Sequence, residues 1–290
     1  MTPFLKWAGG KRWLVKQQPD IFPKECNRYI EPFLGSAACF FFLKPESAIL
    51  SDANNRLVET YRAIRDTPEK VERLLAIHQR QHSNEYYYQV RAKQLQTPHT
   101  RAAQFIYLNR TCYNGLYREN KSGQFNVPIG TKNSVVLSTD NFSETSKLLG
   151  NTEIFHEDFE SIIDLASRGD FIFADPPYTT AHNLNGFIKY NQKIFSWEDQ
   201  IRLEAALTRA SQRGAKILMT NAAHSSVKEL YEHPWEVFEL SRRSVISGLN
   251  KGRSNTTEFL ISNFELPQVQ SHSIRHNQSY SCEIVLEEYT

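Results

Sequence analysis

The sequence predicts an α/β fold in which strands and helices alternate along the chain, with one long helical insertion. Short apolar runs such as residues 48–51 and 171–174 stop at a polar or proline turn, which is the pattern of buried strands. Apolar residues at helical spacing lie between such runs. From residue 54 to about residue 112 no strand pattern interrupts the helices, and this stretch predicts the insertion.

Each predicted element has a local signal. Residues 28–30 and 48–51 are apolar strands on either side of a glycine turn at Gly35, which is the start of a nucleotide-type α/β unit. Pro68 restarts a helix at a favoured first position, and Ser196 is placed to cap another helix that Gly214 ends. Further strands are predicted at residues 153–156, 171–174, 216–220, 235–240 and 258–262.

Asp175-Pro176-Pro177-Tyr178 is the stretch that most strongly indicates chemistry. Its prolines stop the preceding strand and fix the backbone at the carboxyl end, where open α/β sheets bind ligands. The corner suits a planar heterocycle with an exocyclic amino group. Asp175 and the Pro176 carbonyl can accept its two N–H bonds, and Tyr178 can stack on its ring. The alternative is an ordinary strand-to-loop turn with an exposed tyrosine.

Other turns predict a second ligand near the same edge. Two glycines between Trp7 and Lys11 allow close approach to the backbone, with the indole placed to cover an apolar ligand face and the lysine to pair with a ligand carboxylate. Asp52 follows the glycine turn by roughly 20 residues, the usual place for an acid that binds a ribose hydroxyl pair. The alternative is that Asp52 caps the next helix. Asp158 follows another strand and can accept from a purine amino group.

Residues 112–128 close the insertion and predict a β-hairpin, because two alternating arms flank a Lys-Ser-Gly turn. Its side chains include Tyr113, Asn114, Leu116 and Arg118, a set that can wedge into a base stack and read base edges. Residues 86–132 carry seven lysines and arginines against one acid. That balance suits phosphate contact, and the alternative is a solvated charged face.

Composition narrows the class of protein. The 290 residues have a formal net charge of only +2, so overall charge does not indicate a nucleic-acid partner. Four cysteines lie far apart without metal-type spacing, which predicts free thiols and no metal site. We find no run long enough to span a membrane and no signal-peptide pattern at the N-terminus. These features favour a cytoplasmic protein.

The motifs and their order resemble those of the Dam-type adenine DNA methyltransferases over roughly residues 4–264. Four stretches carry the resemblance. The family's N-terminal cofactor motif resembles Phe4-Leu5-Lys6-Trp7-Ala8-Gly9-Gly10-Lys11, and its glycine motif resembles Glu31-Pro32-Phe33-Leu34-Gly35. Its recognition hairpin resembles Asn109-Arg110 through Phe125-Asn126-Val127-Pro128, and its catalytic motif resembles Asp175-Pro176-Pro177-Tyr178. One departure is Ala37, where the family usually has the second glycine of Gly-x-Gly.

The resemblance implies a Rossmann-like methyltransferase sheet with helices on both faces, plus an inserted helical target-recognition domain bearing a β-hairpin. The catalytic domain would comprise residues 1–56 and 146–266, and the recognition domain residues 57–145. Residues 267–290 form a tail to which we assign no role. The implied partner is double-stranded DNA, with a monomeric enzyme and a cognate restriction endonuclease acting on the same site as a further partner.

The resemblance also implies roles for individual residues. S-adenosylmethionine is the implied methyl donor, and its binding set is Trp7, Lys11, Phe33, Gly35, Asp52, Asp158 and Asp175. The implied catalytic residues are Asp175, Pro176 and Tyr178. On the DNA side, Lys6, Leu116, Arg118 and Pro128 would read bases, Asn114 would contact DNA, and Tyr113 would fill the gap left by an extruded adenine. In relatives with these residues the target is usually GATC.

Two alternatives stay open at this point. A methyltransferase acting on another planar amine, such as adenine in RNA or the N4 amino group of cytosine in DNA, would suit the catalytic tetrapeptide equally well. A DNA-binding protein that keeps the fold without activity would suit the hairpin. The intact Lys11, Asp52 and Asp175 speak against the second alternative, and the hairpin match speaks against the first.

Overall fold

The computed structural model describes residues 1–120, 123–180, 195–232, 234–243 and 255–267. Within these residues, seven strands form one sheet in the order β3-β2-β1-β4-β5-β7-β6. They are β1 Tyr29–Glu31, β2 Ala48–Ser51, β3 Thr152–Phe155, β4 Phe171–Ala174, β5 Lys216–Ala222, β6 Glu236–Arg243 and β7 Asn255–Ser262. Strands β1 to β5 are parallel, whereas β7 is antiparallel to β5 and β6. All seven predicted strands are confirmed.

Helices cover both faces of the sheet, as predicted. Successive residues of a strand point to opposite faces, so Phe171 and Phe173 of β4 join one apolar cluster while Ile172 and Ala174 join the other. The first cluster includes α2 (Ala38–Leu43) and the helices of the insertion, and α1 (Arg12–Gln17) packs beside α2. The second cluster includes α8 (Phe159–Ile163), α9 (Trp197–Gln212) and α10 (Ser225–Leu230).

The insertion lies between β2 and β3. It consists of α3 Asn55–Asp66, α4 Pro68–Gln81, α5 Asn84–Ala92, α6 Pro98–Thr111 and α7 Phe142–Leu149. Helix α6 is its centre, because residues 102–111 are all buried and the helix packs on α3 and α4. Side-chain caps start several of these helices, such as Asn54, which accepts from the Leu57 amide. The apolar residues of the insertion share one core with the first sheet face.

The predicted hairpin is present as two bridged arms. Antiparallel bridges join Cys112 to Ile129 and Glu119 to Phe125. A 3₁₀ turn, Tyr113–Gly115, interrupts the first arm between the bridges. The arms therefore do not form two regular strands, and the first arm bends where its recognition side chains are concentrated. Residues 121 and 122 of the predicted Lys-Ser-Gly turn lie outside the described residues.

The strand order fixes where a ligand can bind. From β1 the chain moves to β2 and β3 on one side, and β4 and β5 then lie on the other side of β1. Such a reversal opens a crevice outside the carboxyl ends of β1 and β4. The sequence also predicts a candidate lid at residues 179–190 and a basic glycine loop at residues 242–253. The lid lies outside the described residues beyond Thr180, and so do residues 244–254 and the tail from residue 268 onward.

Candidate active site

A cleft of ≈ 880 Å³ lies at the carboxyl ends of β1, β2 and β4, which is within the usual range of about 300–1,000 Å³ for small-molecule sites. Ten predicted site residues line it: Trp7, Lys11, Phe33, Gly35, Asp52, Leu116, Asp158, Asp175, Pro176 and Tyr178. The structure therefore brings all the predicted cofactor and catalytic residues to one place, although they come from distant parts of the chain.

The Asp175 carboxylate is held by two groups from other elements. Lys11 Nζ lies 2.8 Å from Asp175 Oδ1, and the Thr220 hydroxyl donates to the same oxygen at 2.7 Å. Among the described residues, both of these contacts end on Oδ1. Burial raises the pKa of Asp175, while the Lys11 ammonium acts in the opposite direction. The carboxylate is thus held through Oδ1, and Asp175 lines the cleft.

Lys11 already has partners within the protein. It is only 3% exposed, and its ammonium donates to the Gly9 carbonyl at 2.7 Å as well as pairing with Asp175. Helix α1 begins at the next residue, which sets the lysine at the edge of the cleft. The pairing of Lys11 with a ligand carboxylate stays a prediction, and within the protein the lysine neutralises an acid of the site itself.

Tyr178 is anchored through its hydroxyl. The phenol donates to Glu258 Oε2 at 2.7 Å, and Lys11 Nζ lies 5.1 Å from the centre of the tyrosine ring. Burial raises the pKa of Tyr178, and the charges of Asp175 and Glu258 raise it further. The phenol therefore stays protonated. Neither Glu258 nor Thr220 was predicted, because each lies inside an ordinary strand pattern without a motif around it.

Asp52 ties the glycine turn to the end of β2. Its Oδ2 accepts from the Gly35 amide at 3.0 Å and its Oδ1 from the Asn54 amide at 2.9 Å. The alternative that Asp52 caps the following helix is wrong, because Asn54 is the capping residue of α3. Burial raises the pKa of Asp52.

Phe33 and Asp158 also line the cleft. Phe33 stacks on Phe159, with ring centres 5.5 Å apart. Asp158 caps α8 by accepting from the Glu160 amide at 3.0 Å, and it pairs with Arg202 at 2.8 Å. Asp158 thus has structural partners already, and it also lines the cleft.

Glu31 is a site residue to which the sequence pattern gave no role. It ends β1, is 3% exposed and lines the cleft. Its Oε2 is buried without a hydrogen-bond partner among the described residues. Burial raises the pKa of Glu31 well above the ordinary value, and the charges of Asp175 and Asp52 add to this effect. A buried carboxylate oxygen without a donor suits a ligand that brings a positive or donor group.

Trp7 connects the cleft to the insertion. Its indole stacks on Tyr117, with ring centres 5.6 Å apart, and on Phe105 at 6.2 Å. Gly35 has a φ of +46°, and a Cβ there would lie 2.9 Å from Trp7 Cδ1. Glycine is needed at this position both for its backbone conformation and for the close approach of the indole.

The predicted DNA-contact residues gather at the base of the hairpin. The Asn109 side chain accepts from the Lys6 amide at 2.9 Å and donates to the Lys6 carbonyl at 2.7 Å. The Tyr113 amide donates to the Pro128 carbonyl at 2.9 Å. Tyr113 is 54% exposed and Leu116 40% exposed, so both side chains are accessible from outside the protein.

The remaining two predicted contacts follow the hairpin outward. Arg118 donates to the Asn126 side chain at 2.8 Å across the two arms, and Asn114 has a φ of +55° inside the 3₁₀ turn. Burial lowers the pKa of Lys6, and the neighbouring Lys132 lowers it further. A polyanion beside the hairpin would offset the unfavourable interaction between these two lysines.

The described part of the chain was also searched for other kinds of site. No group of three or more histidine, cysteine or acidic side chains that could hold a metal ion occurs in it. None of its helices is long and apolar enough to cross a membrane.

A deep cleft at the switch point of a parallel sheet, with acids at the ends of neighbouring strands, defines an α/β enzyme that binds a nucleotide-like ligand. The model of the D12 class N6 adenine-specific DNA methyltransferases matches residues 7–246. The chain belongs to this family. Its resemblance to adenine DNA methyltransferases is thereby confirmed, and membership implies DNA as substrate and S-adenosylmethionine as methyl donor.

Three relatives illustrate the similarity. The type II methyltransferase M1.LlaDCHI of Lactococcus lactis subsp. cremoris is 33% identical over 273 residues, which cover 91% of this chain and 96% of the relative. The type II methyltransferase M.MjaIII of Methanocaldococcus jannaschii is 34% identical over 287 residues, covering 91% and 99%. The DNA adenine methylase of Serratia marcescens is 31% identical over 266 residues, covering 89% and 96%.

Proposed function

We propose that this protein methylates the N6 amino group of adenine at a specific site in double-stranded DNA, with the adenine flipped out of the duplex. The observation that carries this proposal is the corner formed by Asp175, Pro176 and Tyr178. Lys11 and Thr220 hold one oxygen of the Asp175 carboxylate, and the aromatic ring beside it is anchored through its hydroxyl. A paired adenine cannot reach such a corner from within the base stack.

The residues of the cleft fit S-adenosylmethionine. When bound, it supplies an electrophilic methyl group on a sulfonium cation. The buried Glu31 Oε2, which has no donor among the described residues, suits a positively charged group on this ligand. We assign the cofactor to Trp7, Lys11, Phe33, Gly35, Asp52, Asp158 and Asp175, all of which line the cleft, and add Glu31 to this set.

The residues of the corner have separate tasks in the proposed transfer. Asp175 Oδ2 and the Pro176 carbonyl accept the two amino hydrogens of adenine, which turns the nitrogen lone pair out of conjugation with the ring. Tyr178 stacks on the flipped base and fixes its plane. Positive charge develops on the nitrogen during transfer, and the fixed Asp175 carboxylate stabilises it. Because both reactants are held, positioning supplies much of the rate.

We assign target recognition to the insertion, residues 57–145. In this proposal the base edges are read by Lys6, Leu116, Arg118 and Pro128. Asn114 contacts the DNA, and Tyr113 occupies the space left by the flipped adenine. The exposure of Tyr113 and Leu116 supports these roles, since both are available to insert into the duplex. We propose GATC as the target, a monomeric enzyme, and a restriction endonuclease acting on the same sequence as its partner.

Asp175→Ala tests the proposal. The variant is expected to lose methyl transfer while keeping DNA affinity, because the DNA contacts lie on the hairpin. Asp164→Ala, at an exposed surface acid, is the matched control and keeps wild-type turnover. Radiolabelled transfer measures activity, and analysis of the methylated base separates N6-methyladenine from N4-methylcytosine. Single-molecule sequencing of DNA from cells that express the protein identifies the target. Normal turnover of Asp175→Ala contradicts the proposed chemistry.

A further inference from the structure

A second buried acid lies behind the catalytic corner. Glu258 is on β7, where its Cα pairs with Ala222 of β5 and Leu240 of β6. The residue is 1% exposed. Its Oε2 accepts the Tyr178 hydroxyl at 2.7 Å. A strand that is antiparallel to the rest of the sheet thus delivers a carboxylate to the back of the tyrosine.

Glu258 also faces the lysine of the site. Lys11 Nζ lies 3.7 Å from Glu258 Oε2 and 2.8 Å from Asp175 Oδ1. One ammonium therefore lies between two carboxylates, and its position responds to both. Removing the Glu258 charge would leave Lys11 with the Asp175 carboxylate and the Gly9 carbonyl, and it would weaken the hydrogen bond that the Tyr178 hydroxyl donates to residue 258.

A buried carboxylate is costly unless it is paired and hydrogen-bonded. An apolar residue at this point of the strand would fill the same space without that cost, so packing alone does not explain an acid here. Within the described residues, Glu258 contacts the base-stacking ring and the lysine that fixes Asp175. Both contacts connect this acid to the transfer step.

We infer that Glu258 is a positioning residue for the methyl transfer: its carboxylate fixes the plane of Tyr178 and holds Lys11 in line with Asp175. The inference rests on the proposed function, because it assigns Tyr178 to the flipped base. Misplacing a bound reactant by about 1 Å is enough to slow a reaction by roughly 100-fold. A residue that acts only on position should change kcat and leave the KM of cofactor and DNA nearly unchanged.

The test compares Glu258→Gln with Tyr178→Phe and with the double variant. Glutamine keeps the shape and removes the charge, while phenylalanine keeps the ring and removes the hydroxyl. Each single variant is expected to lower kcat by about 10- to 100-fold, with KM values within about threefold of wild type. In the Tyr178→Phe background the Glu258→Gln loss should be smaller, since the hydroxyl contact is already gone and only the contact with Lys11 is still affected. Glu239→Gln, at an exposed acid of β6 that pairs with Phe259, is the control.

A second measurement does not depend on turnover. A duplex with 2-aminopurine at the methylated position reports stacking of the flipped base, because stacking on a fixed ring quenches its fluorescence. Glu258→Gln should give a brighter complex than wild type at equal DNA occupancy. Circular dichroism confirms folding, and if Glu258→Gln does not fold, Tyr178→Phe alone tests the same contact.

Three results would overturn the inference: an unchanged kcat in Glu258→Gln, an equal loss of kcat in the wild-type and Tyr178→Phe backgrounds, or unchanged 2-aminopurine fluorescence. If Glu258→Gln does not fold and only Tyr178→Phe can be measured, a wild-type kcat in Tyr178→Phe overturns the inference. Failure of the proposed function looks different, because the wild-type protein itself would then transfer no methyl group to DNA.

Discussion

Replacing Lys11 with methionine separates the predicted role of this lysine from the role that its contacts indicate. Methionine keeps the length of the side chain and removes the charge. Asp175 and Glu258 would then stay in the site without the cation that lies 2.8 and 3.7 Å from them. Breaking a buried ion pair by removing one partner costs about 3–5 kcal/mol. Because the Asp175 side chain is 18% exposed and water can screen part of its charge, we expect a loss of about 2–3 kcal/mol.

Urea unfolding at neutral pH measures this loss. Lys16→Met, at an exposed position of α1, the helix that begins just after Lys11, is the control. Its free energy of unfolding should stay within about 0.5 kcal/mol of wild type. Lys11→Met/Asp175→Asn should regain much of the stability, because the double variant leaves one buried charge fewer. The loss should also shrink in acid: without the cation the pKa of Asp175 rises further, and the protonated acid carries no buried charge.

The opposite result would support the expectation from sequence. If Lys11→Met unfolds within about 0.5 kcal/mol of wild type while cofactor binding weakens strongly, the lysine serves a ligand carboxylate and its contact with Asp175 contributes little. Isothermal calorimetry with S-adenosylhomocysteine supplies the binding measurement.

Two further predictions concern stability. Burial, with a smaller effect of Lys93, lowers the pKa of His78 to about 4. The unfolded state therefore binds more protons than the folded state between about pH 6.5 and 4, and the unfolding free energy should fall as pH falls through that window. The full shift corresponds to about 3 kcal/mol, and because the ring is partly exposed we expect a fall of about 1–2 kcal/mol. Urea unfolding at both pH values checks this, and His78→Gln should lose the dependence. Ala37 has a φ of +52°, which costs an alanine about 1–2 kcal/mol. Ala37→Gly removes that strain, but it loses a buried methyl group and adds conformational entropy to the unfolded chain, so thermal unfolding should show a change below about 1 kcal/mol. Ala37→Val should lower the free energy of unfolding by more than about 2 kcal/mol. A large gain of stability in Ala37→Gly would contradict this balance.

The sheet was predictable because its signals are local. Strands such as β4 are short apolar runs closed by a polar turn, and the rule that parallel sheets bind ligands at their carboxyl ends placed Asp52 and Asp175 in the site. What the pattern does not contain is pairing between distant residues. Lys11 follows a glycine pair near the start of the chain, and nothing in that stretch indicates that its ammonium reaches Asp175. Thr220 and Glu258 were missed for the same reason.

The insertion was predicted less completely. Helix α5 was not predicted, because three consecutive tyrosines and several polar residues hide its buried positions, Tyr87 and Val90. Tyr87 is held by a bond from its hydroxyl to the Val127 carbonyl at 2.9 Å, a contact made only after the hairpin folds back. The hairpin itself was found from its turn, yet its bridged geometry depends on packing against α6, which local pattern does not describe.

The short stretch of residues 4–11 links the hairpin to the transfer corner. At one end, Arg110 donates to the Phe4 carbonyl at 2.8 Å while pairing with Asp140 at 2.6 Å, and Asn109 binds both backbone groups of Lys6. At the other end, Lys11 pairs with Asp175. Helix α6 and the Asp175 carboxylate therefore fix the two ends of this stretch. In the proposed function, a shift of Lys6 against DNA would have only a few residues over which to relax before it reached Lys11, and this would connect recognition to transfer.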